Sequence, residues 1–256
     1  MTAIDVHAQV DGPEDAPVLV LSNSLGATLD MWDPQLPVLT EQFRVVRYDT
    51  RGHGRSPVPD GDSGVDDLAD DVVALLDRLH VPRAHVAGLS IGGMTALRLA
   101  VRDPERVERL AVLCSSAYTG NEQAWRDRAT TARTEGTGAL APTVVGRWFT
   151  PAWAAEHPDV VEHWRATIAG TSDQGYASCC AAVATMDQRA DLPAITAPTL
   201  VVSGAEDPAL PPEHQHTIAA GITGAALLTV AGAHLANIEQ PQHVTDALLA
   251  HFRGEA

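Results

Sequence analysis

The 256-residue chain contains one stretch, V-A-G-L-S-I-G-G-M from Val86 to Met94, that indicates a strand, a sharp turn and a helix in immediate succession. An apolar run ending at Ala87 meets the G-x-S-x-G pattern of residues 88–92, and good helix formers follow from Met94 to Arg102. In so tight a turn, side chains two positions before and after the serine would collide, and glycine relieves both collisions. The spacing therefore predicts that Ser90 lies on a strained turn, with its hydroxyl exposed above the edge of a sheet.

The residue after the serine gives this turn a second property. The amide of Ile91 is predicted to lie at a helix N-terminus, where unpaired N–H groups attract developing negative charge. It could supply half of an oxyanion hole. A glycine-rich turn whose serine only caps a helix would give the same pattern, so the remaining chain has to distinguish the two interpretations.

Composition excludes several classes of function. All 17 basic residues are arginine, so Ser-Lys dyads, Schiff-base lysines and a P-loop lysine are excluded. A net charge of −16 argues against nucleic acid or an anionic membrane as a partner, because both would repel the protein. His214 and His216 form an H-x-H pair without the further ligands that a zinc hydrolase needs, so no metal is expected.

The cysteines and the N-terminus bear on location. Cys114, Cys179 and Cys180 are too few and too poorly spaced for a disulfide framework. The chain begins without a secretory signal pattern, and no apolar run approaches the roughly 18 residues of a membrane helix. We therefore expect a cytoplasmic protein. The adjacent pair Cys179-Cys180 could suggest redox control, although small buried residues in helix packing explain it more simply.

Strand-like and helix-like segments alternate along the chain, which predicts a mostly parallel sheet wrapped by helices. Val65 to His80 has the apolar spacing of one helix face. From Tyr118 to about Arg189 the strand-like runs stop, which indicates a helical insertion. We therefore divide the chain into a core (1–117), a helical cap (118–190) and a second part of the core (191–256). The strand-like runs other than the one before Ser90 are residues 4–10, 17–21, 43–48, 107–114, 198–202 and 226–230.

Ser90, Asp207 and His234 each lie directly past the carboxyl end of a predicted strand. A serine hydroxyl is a weak nucleophile unless a base takes its proton, and the base needs an acid to hold its tautomer. The order Ser, Asp, His is that of α/β-hydrolase triads. His53 remains a rival for the base and Glu206 for the acid.

The loop after residues 17–21 is the natural source of a second oxyanion donor, the N–H of Leu25. Most other histidines fall in predicted helices or in the cap and are expected to be solvated, among them His80, His157, His163 and His251.

Five motifs of the chain are typical of a known family. They are L-S-N-S-L-G at 21–26, R-Y-D-T-R-G-H-G at 47–54, G-L-S-I-G-G at 88–93, R-W-F-T at 147–150 and G-Y-A-S-C-C-A-A at 175–182. With these motifs the chain resembles the α/β-hydrolase superfamily and, more closely, the 3-oxoadipate enol-lactonases of bacterial aromatic degradation. The resemblance implies a mostly parallel eight-stranded sheet flanked by helices, with a helical cap. It also implies Ser90, Asp207 and His234 as the triad.

The implied reaction is hydrolysis of 3-oxoadipate enol-lactone, a small molecule, through an acyl-enzyme on Ser90 and without cofactor or metal. Leu25 and Ile91 would be the oxyanion donors. The substrate carries a carboxylate, for which the cap offers Trp125 with Arg128 and Arg147 with Trp148. These four cap residues could equally fill and pair within the cap.

Alternative functions remain open at this stage. A related esterase, a perhydrolase or a carbon–carbon bond hydrolase would use the same three residues. A ligand receptor on the same scaffold would bind without turnover. The sequence gives no indication of the oligomeric state.

Overall fold

The protein is built on one seven-stranded sheet. A computed structural model describes residues 3–255, and within them the strand order is β1-β3-β2-β4-β5-β6-β7. β1 pairs antiparallel with β3, and all other neighbouring strands are parallel. The predicted α/β class and mostly parallel sheet are confirmed. The strands are β1 Ala8–Asp11, β2 Val18–Ser22, β3 Arg44–Tyr48, β4 Ala84–Leu89, β5 Val107–Leu113, β6 Thr199–Gly204 and β7 Ala226–Val230.

The predicted eight strands are wrong for the part of the chain that the structure describes. Each of the seven strand-like runs of the sequence forms one strand, and the run over residues 4–10 enters the sheet only at Ala8, because the residues before it make other hydrogen bonds. The N–H of Ile4 donates to Oδ1 of Asp71 at 2.8 Å, and the N–H of His7 donates to Oγ of Ser56 at 2.9 Å. Because these side chains take up the backbone donors, the segment is tied to loops and helices of the core instead of extending the sheet.

Eleven α-helices accompany the sheet in residues 3–255. The helix predicted from Val65 is observed and ends two residues earlier than expected, at Arg78. A four-residue helix, Leu36–Leu39, follows a 3₁₀ turn over Leu29–Trp32. The helices are α1 Leu36–Leu39, α2 Val65–Arg78, α3 Ile91–Arg102, α4 Glu122–Glu135, α5 Thr137–Val145, α6 Pro151–Glu156, α7 Pro158–Ala169, α8 Asp173–Thr185, α9 Pro212–Gly221, α10 Ala236–Glu239 and α11 Pro241–Arg253.

Two apolar clusters lie on opposite faces of the sheet. Successive side chains of a strand point to opposite faces, so Leu19 and Leu21 join one cluster and Val20 joins the other. The first cluster continues into α11 and the cap helices, α4 to α8, and the second includes α2, α3 and α9. Burial on both faces explains why the central strands are continuous apolar runs.

The cap helices leave the core after β5 and return before β6. The two ends of this excursion meet, because the N–H of Gln188 donates to the carbonyl of Ala117 at 2.8 Å. Every residue of α8 from Gly175 to Ala184 is buried, and this helix anchors the cap on the core. The division at residues 117 and 190 stays a prediction.

The C-terminal helix corrects one expectation. His251 is buried, not solvated, and its ring packs beside that of Phe252, which also contacts the ring of His85. The spacing of apolar residues in α11 did not indicate that the polar residue His251, near the end of the helix, is also buried. None of the helices in residues 3–255 is long and apolar enough to cross a membrane.

Candidate active site

Ser90 lies on the tight turn between β4 and α3, with φ of +58°. A Cβ added at Gly88 would lie 2.1 Å from the carbonyl oxygen of Gly92, and one added at Gly92 would lie 2.4 Å from that of Ser22. Both positions therefore exclude a side chain, as the sequence pattern predicts. Oγ of Ser115 donates to the Ser90 carbonyl at 2.6 Å and holds the turn from below.

Two backbone N–H groups beside Ser90 have no acceptor within residues 3–255. The N–H of Ile91 begins α3, and that of Leu25 lies in the loop after β2; neither makes a hydrogen bond to the protein. Both residues line the same cavity as Ser90. Free N–H groups at this place are what an oxyanion requires.

The loop that carries Leu25 is held by hydrogen bonds to β3 and to the loop that follows β3. Nδ2 of Asn23 donates to the carbonyl of Tyr48 at 2.7 Å, and the N–H of Gly26 donates to Nε2 of His53 at 3.0 Å. Because Nε2 of His53 accepts, its Nδ1 donates to the carbonyl of Arg51 at 3.0 Å. Burial lowers the pKa of His53, which favours this neutral form. His53 thus has a positioning contact to the loop and does not line the cavity.

His234 and Asp207 form a buried pair. Nδ1 of His234 lies 2.8 Å from Oδ2 of Asp207, while Oδ1 of Asp207 accepts the N–H groups of Ala209 and Leu210 at 2.8 and 3.0 Å. The carboxylate is therefore fixed, and it favours a proton on Nδ1, which leaves Nε2 as the acceptor. Glu206, the rival acid, is exposed to solvent.

A cavity of about 430 Å³ brings together eight of the nine predicted site residues; Asp207 lies behind His234 and does not line it. Ser90, Leu25 and Ile91 belong to the core, and the cap contributes α4, α5 and the segment after α5. The predicted residues in the cavity wall are Leu25, Ser90, Ile91, Trp125, Arg128, Arg147, Trp148 and His234. Apolar side chains fill most of the rest of the wall, among them Met94, Leu140, Val144, Val183 and Leu210.

Arg128 faces the cavity without an acidic partner among the described residues. Its guanidinium donates to the hydroxyl of Tyr176 and lies 4.9 Å from the ring centroid of Trp125 and 5.2 Å from that of Tyr176. Burial raises the pKa of Tyr176, so its phenol stays neutral and does not cancel the arginine charge. The positive charge of Arg128 is available to a ligand.

Arg147 is the second cavity arginine and is exposed. Within the part of the chain that the structure describes it makes neither an ion pair nor a hydrogen bond through its side chain. Most of the other arginines pair with Asp or Glu, as Arg51 does with Asp71 at 2.6 Å. The tryptophans beside the two cavity arginines differ in burial: Trp148 is 2% exposed, whereas Trp125 is only partly buried.

His214 lines the cavity and was missed as a site residue. Its Nδ1 lies 2.8 Å from Oγ of Ser116, and its Nε2 has no partner in residues 3–255. Sequence reasoning considered it only as part of the H-x-H pair; its place at the start of α9, soon after Asp207, is the signal that could have identified it. No group of three or more potential metal ligands lies together in that same range.

Comparison with known proteins places the chain in a family. The α/β hydrolase fold family matches residues 17–138, and a family described as TAP-like protein matches residues 168–252. The chain belongs to the α/β-hydrolase family. It has the fold and the turn at Ser90, and relatives of at least 30% identity match it over most of its length.

Within that family the chain is similar to enol-lactonases. It is 40% identical to 3-oxoadipate enol-lactonase 2 of Acinetobacter baylyi, over 98% of this chain and 96% of that protein. The crystal structure of the enol-lactonase from Burkholderia xenovorans matches with a TM-score of 0.95 and 41% identity, covering 97% of this chain and 96% of that one. A putative carbamate hydrolase, RutD of Variovorax paradoxus, is 34% identical over 87% of this chain and 86% of its own length.

Proposed function

We propose that the protein hydrolyses 3-oxoadipate enol-lactone to 3-oxoadipate in the β-ketoadipate pathway of aromatic degradation. The observation that carries the proposal is a cavity in which Ser90 and His234 share the wall with Arg128 and Arg147, two arginines without an acidic partner in residues 3–255. The lactone is an ester that also bears a carboxylate, so it uses both features. The 40% identity to the A. baylyi enol-lactonase supports the same substrate.

In the proposed mechanism Ser90 attacks the lactone carbonyl while its proton passes to Nε2 of His234. Asp207 holds the proton on Nδ1 before the attack and stabilises the imidazolium after it. The carbonyl oxygen becomes negative in the tetrahedral intermediate and binds the free N–H groups of Leu25 and Ile91. Each such donor is typically worth about 10²–10³ in rate.

Collapse of the intermediate breaks the ring C–O bond and leaves an acyl group on Ser90. The expelled enolate takes the proton from His234 and tautomerises to the ketone. His234 then removes a proton from water, whose oxygen attacks the acyl-enzyme, and 3-oxoadipate leaves with Ser90 restored. The scheme uses no cofactor or metal ion.

The substrate carboxylate needs a local cation, because the protein as a whole carries a net charge of −16. We assign this role to Arg128 and Arg147. An arginine can hold a carboxylate through two parallel hydrogen bonds. Trp125 and Trp148 would line the same part of the cavity.

Carbamate hydrolysis is the second candidate, because of the 34% identity to the putative carbamate hydrolase RutD. The same serine and histidine would attack a carbamate carbonyl. The two candidates differ in the carboxylate side chain, which the enol-lactone has and a simple neutral carbamate lacks.

The test is kcat/KM of the purified protein on four substrates: the enol-lactone, a neutral aryl ester, a carbamate and a vinylogous diketone. We expect the enol-lactone to exceed the others at least tenfold, with activity abolished in Ser90→Ala. A higher value for the carbamate would favour the second candidate. Preference for the aryl ester or the diketone would indicate a related esterase or a carbon–carbon bond hydrolase, and binding of the lactone without turnover would indicate a receptor.

A further inference from the structure

Glu239 is a buried carboxylate that the mechanism above does not use. It ends the short helix α10, is 7% exposed and has no arginine or histidine partner among the described residues. Three donors surround it instead. Oε2 accepts the N–H of Ala233 at 2.5 Å, and Oε1 accepts the N–H and the hydroxyl of Thr150 at 3.1 and 2.7 Å.

These contacts join two segments that are far apart in the chain. Ala233 directly precedes His234, whereas Thr150 closes the R-W-F-T segment, residues 147–150, of the cap. A second bond parallels the first, since the N–H of Leu235, which directly follows His234, donates to the carbonyl of Trp148 at 2.9 Å. The backbone on both sides of His234 is therefore held by the R-W-F-T segment, on one side through Glu239 and on the other directly.

The same segment contributes to the cavity wall through Arg147 and Trp148. One short stretch of the cap thus contacts the space for the ligand and fixes the loop that carries the histidine. A carboxylate suits the junction because both of its oxygens are acceptors, and all three groups that face it are donors. Because close-packed protein interiors transmit strain, a displacement on one side of this buried junction is passed to the other.

We propose that Glu239 is a positioning residue, through which the R-W-F-T segment of the cap sets the orientation of His234 toward Ser90. Glu239 touches neither the substrate nor the reacting atoms. The proposal rests on the proposed function insofar as His234 is the base, but it does not depend on which ester is the substrate. A small misplacement of a catalytic group can cost about 10²-fold in rate.

Glu239→Gln is the first test, because it keeps the shape of the side chain while turning one acceptor into a donor that faces another donor. We expect kcat to fall 10- to 100-fold with less than a twofold change in KM, and equally for the enol-lactone and for a neutral aryl ester. The rate at which a fluorophosphonate labels Ser90 should fall by the same factor. Loss of binding contacts alone would instead raise KM for the lactone only.

Thr150 provides the matched pair. Thr150→Ser retains the hydroxyl and should stay within twofold of the wild type, whereas Thr150→Val should lose about fivefold in kcat. The double variant Glu239→Gln with Thr150→Val should lose no more than Glu239→Gln alone, since the bond is already disrupted. Asn237→Ala, on the same short helix but bonded to the carbonyl of Met31, controls for the loss of a buried hydrogen bond and should keep the wild-type kcat.

The outcomes separate the two proposals. Wild-type kcat and labelling rate in folded Glu239→Gln, or an equal loss in Asn237→Ala, would overturn the positioning role and leave the proposed function intact. Turnover of the aryl ester without turnover of the lactone would overturn the proposed substrate. The variants would then be compared on the aryl ester. A wild-type protein that the fluorophosphonate does not label would overturn both. If Glu239→Gln does not fold, the comparison of Thr150→Ser with Thr150→Val tests the positioning role, and equal kcat values in the two variants would overturn it.

Discussion

Gly52 and Gly175 meet backbone to backbone, so that a Cβ on Gly175 would lie 2.4 Å from the carbonyl oxygen of Gly52. Gly52 belongs to the loop after β3, and Gly175 lies in the first turn of α8. A hydrogen bond between the hydroxyls of Ser63 and Ser178, 2.8 Å apart, adds to the same contact. The cap therefore rests on the core through a helix whose backbone approaches so closely that no side chain fits at either glycine.

Gly175→Ala should destabilise the protein, because the new methyl group can fit only if α8 moves away from the core. We expect the free energy of unfolding to fall by about 1–3 kcal/mol, as for other overpacked sites, measured by urea denaturation. Gly138→Ala in α5 is the control, since its Cβ would find its nearest neighbour at 3.8 Å, and it should be neutral or slightly stabilising. Equal effects of the two changes would contradict the close contact.

Asp207→Asn should prevent His234 from acting as a base, although the histidine itself is retained. The amide oxygen can keep the two N–H groups of Ala209 and Leu210, which turns the NH₂ group toward His234 and favours the opposite tautomer. We expect kcat on the aryl ester to fall by about 10³–10⁴, with little change in Tm. Glu206→Gln, one residue away and exposed, should leave kcat unchanged. More than a tenth of the activity left in Asp207→Asn would argue against the assignment.

Arg128→Met should lower kcat/KM for the enol-lactone while sparing the neutral aryl ester. Loss of a charge-assisted hydrogen bond to the substrate carboxylate should cost about 1.5–3 kcal/mol in kcat/KM, mainly through KM. Arg126→Met, on the same helix but paired with Glu122, is the control. Equal losses on both substrates would mean that Arg128 only supports the cap.

Arg147→Met tests the second cavity arginine by the same comparison. Because Arg147 is exposed, its effect on the enol-lactone should be smaller than that of Arg128 and should decrease with added salt. Steady-state kinetics at low and high ionic strength would measure this. If neither arginine variant changes KM for the lactone, the carboxylate must bind to other groups of the cavity.

Stability should fall as the pH drops below about 6.5, because buried histidines bind protons only after unfolding. Burial, aided by the positive charge of Arg109, lowers the pKa of His251 to about 4. A folded pKa below the unfolded one means that the unfolded chain binds more protons between pH 6.5 and 4, so acid favours unfolding. His251 should contribute on the order of 2 kcal/mol to this loss. Burial lowers the pKa of His85 in the same direction.

Unfolding at several pH values would check this in His251→Leu. That variant should lose less stability between pH 6.5 and 4 than the wild type does, whereas His216→Leu, at an exposed position, should follow the wild type. Parallel curves for wild type and His251→Leu would refute the contribution of His251.

Local patterns carried most of the predicted fold. The turn at Ser90, the helix from Val65 and the strand at Ala226–Val230 each depend on neighbouring residues, whose spacing alone specifies turn, helix or strand. The location of Asp207 and His234 after parallel strands follows from the same reasoning, because the carboxyl ends of such strands share one edge.

Features that depend on distant segments were not predictable in this way. The first strand is shorter than the predicted residues 4–10, because Asp71 and Ser56, well separated in the chain, accept the N–H groups of Ile4 and His7. His214 lines the cavity at the start of α9, where its Nδ1 lies 2.8 Å from Oγ of Ser116, a residue 98 positions away in the chain. The role of Glu239 could not be predicted, because the contact that joins it to the cap is made with Thr150, 89 residues away in the chain.

The hydrogen bond between Gln188 and Ala117 has a topological consequence. A chain that leaves and re-enters the sheet at one point can be lengthened, shortened or exchanged between those ends without changing the strand order. The cap can thus be treated as a graftable module, with α8 and the R-W-F-T segment as the parts that a graft has to retain. Diversity of ligand can then arise in α4 to α7 while the chemistry of the core is inherited unchanged.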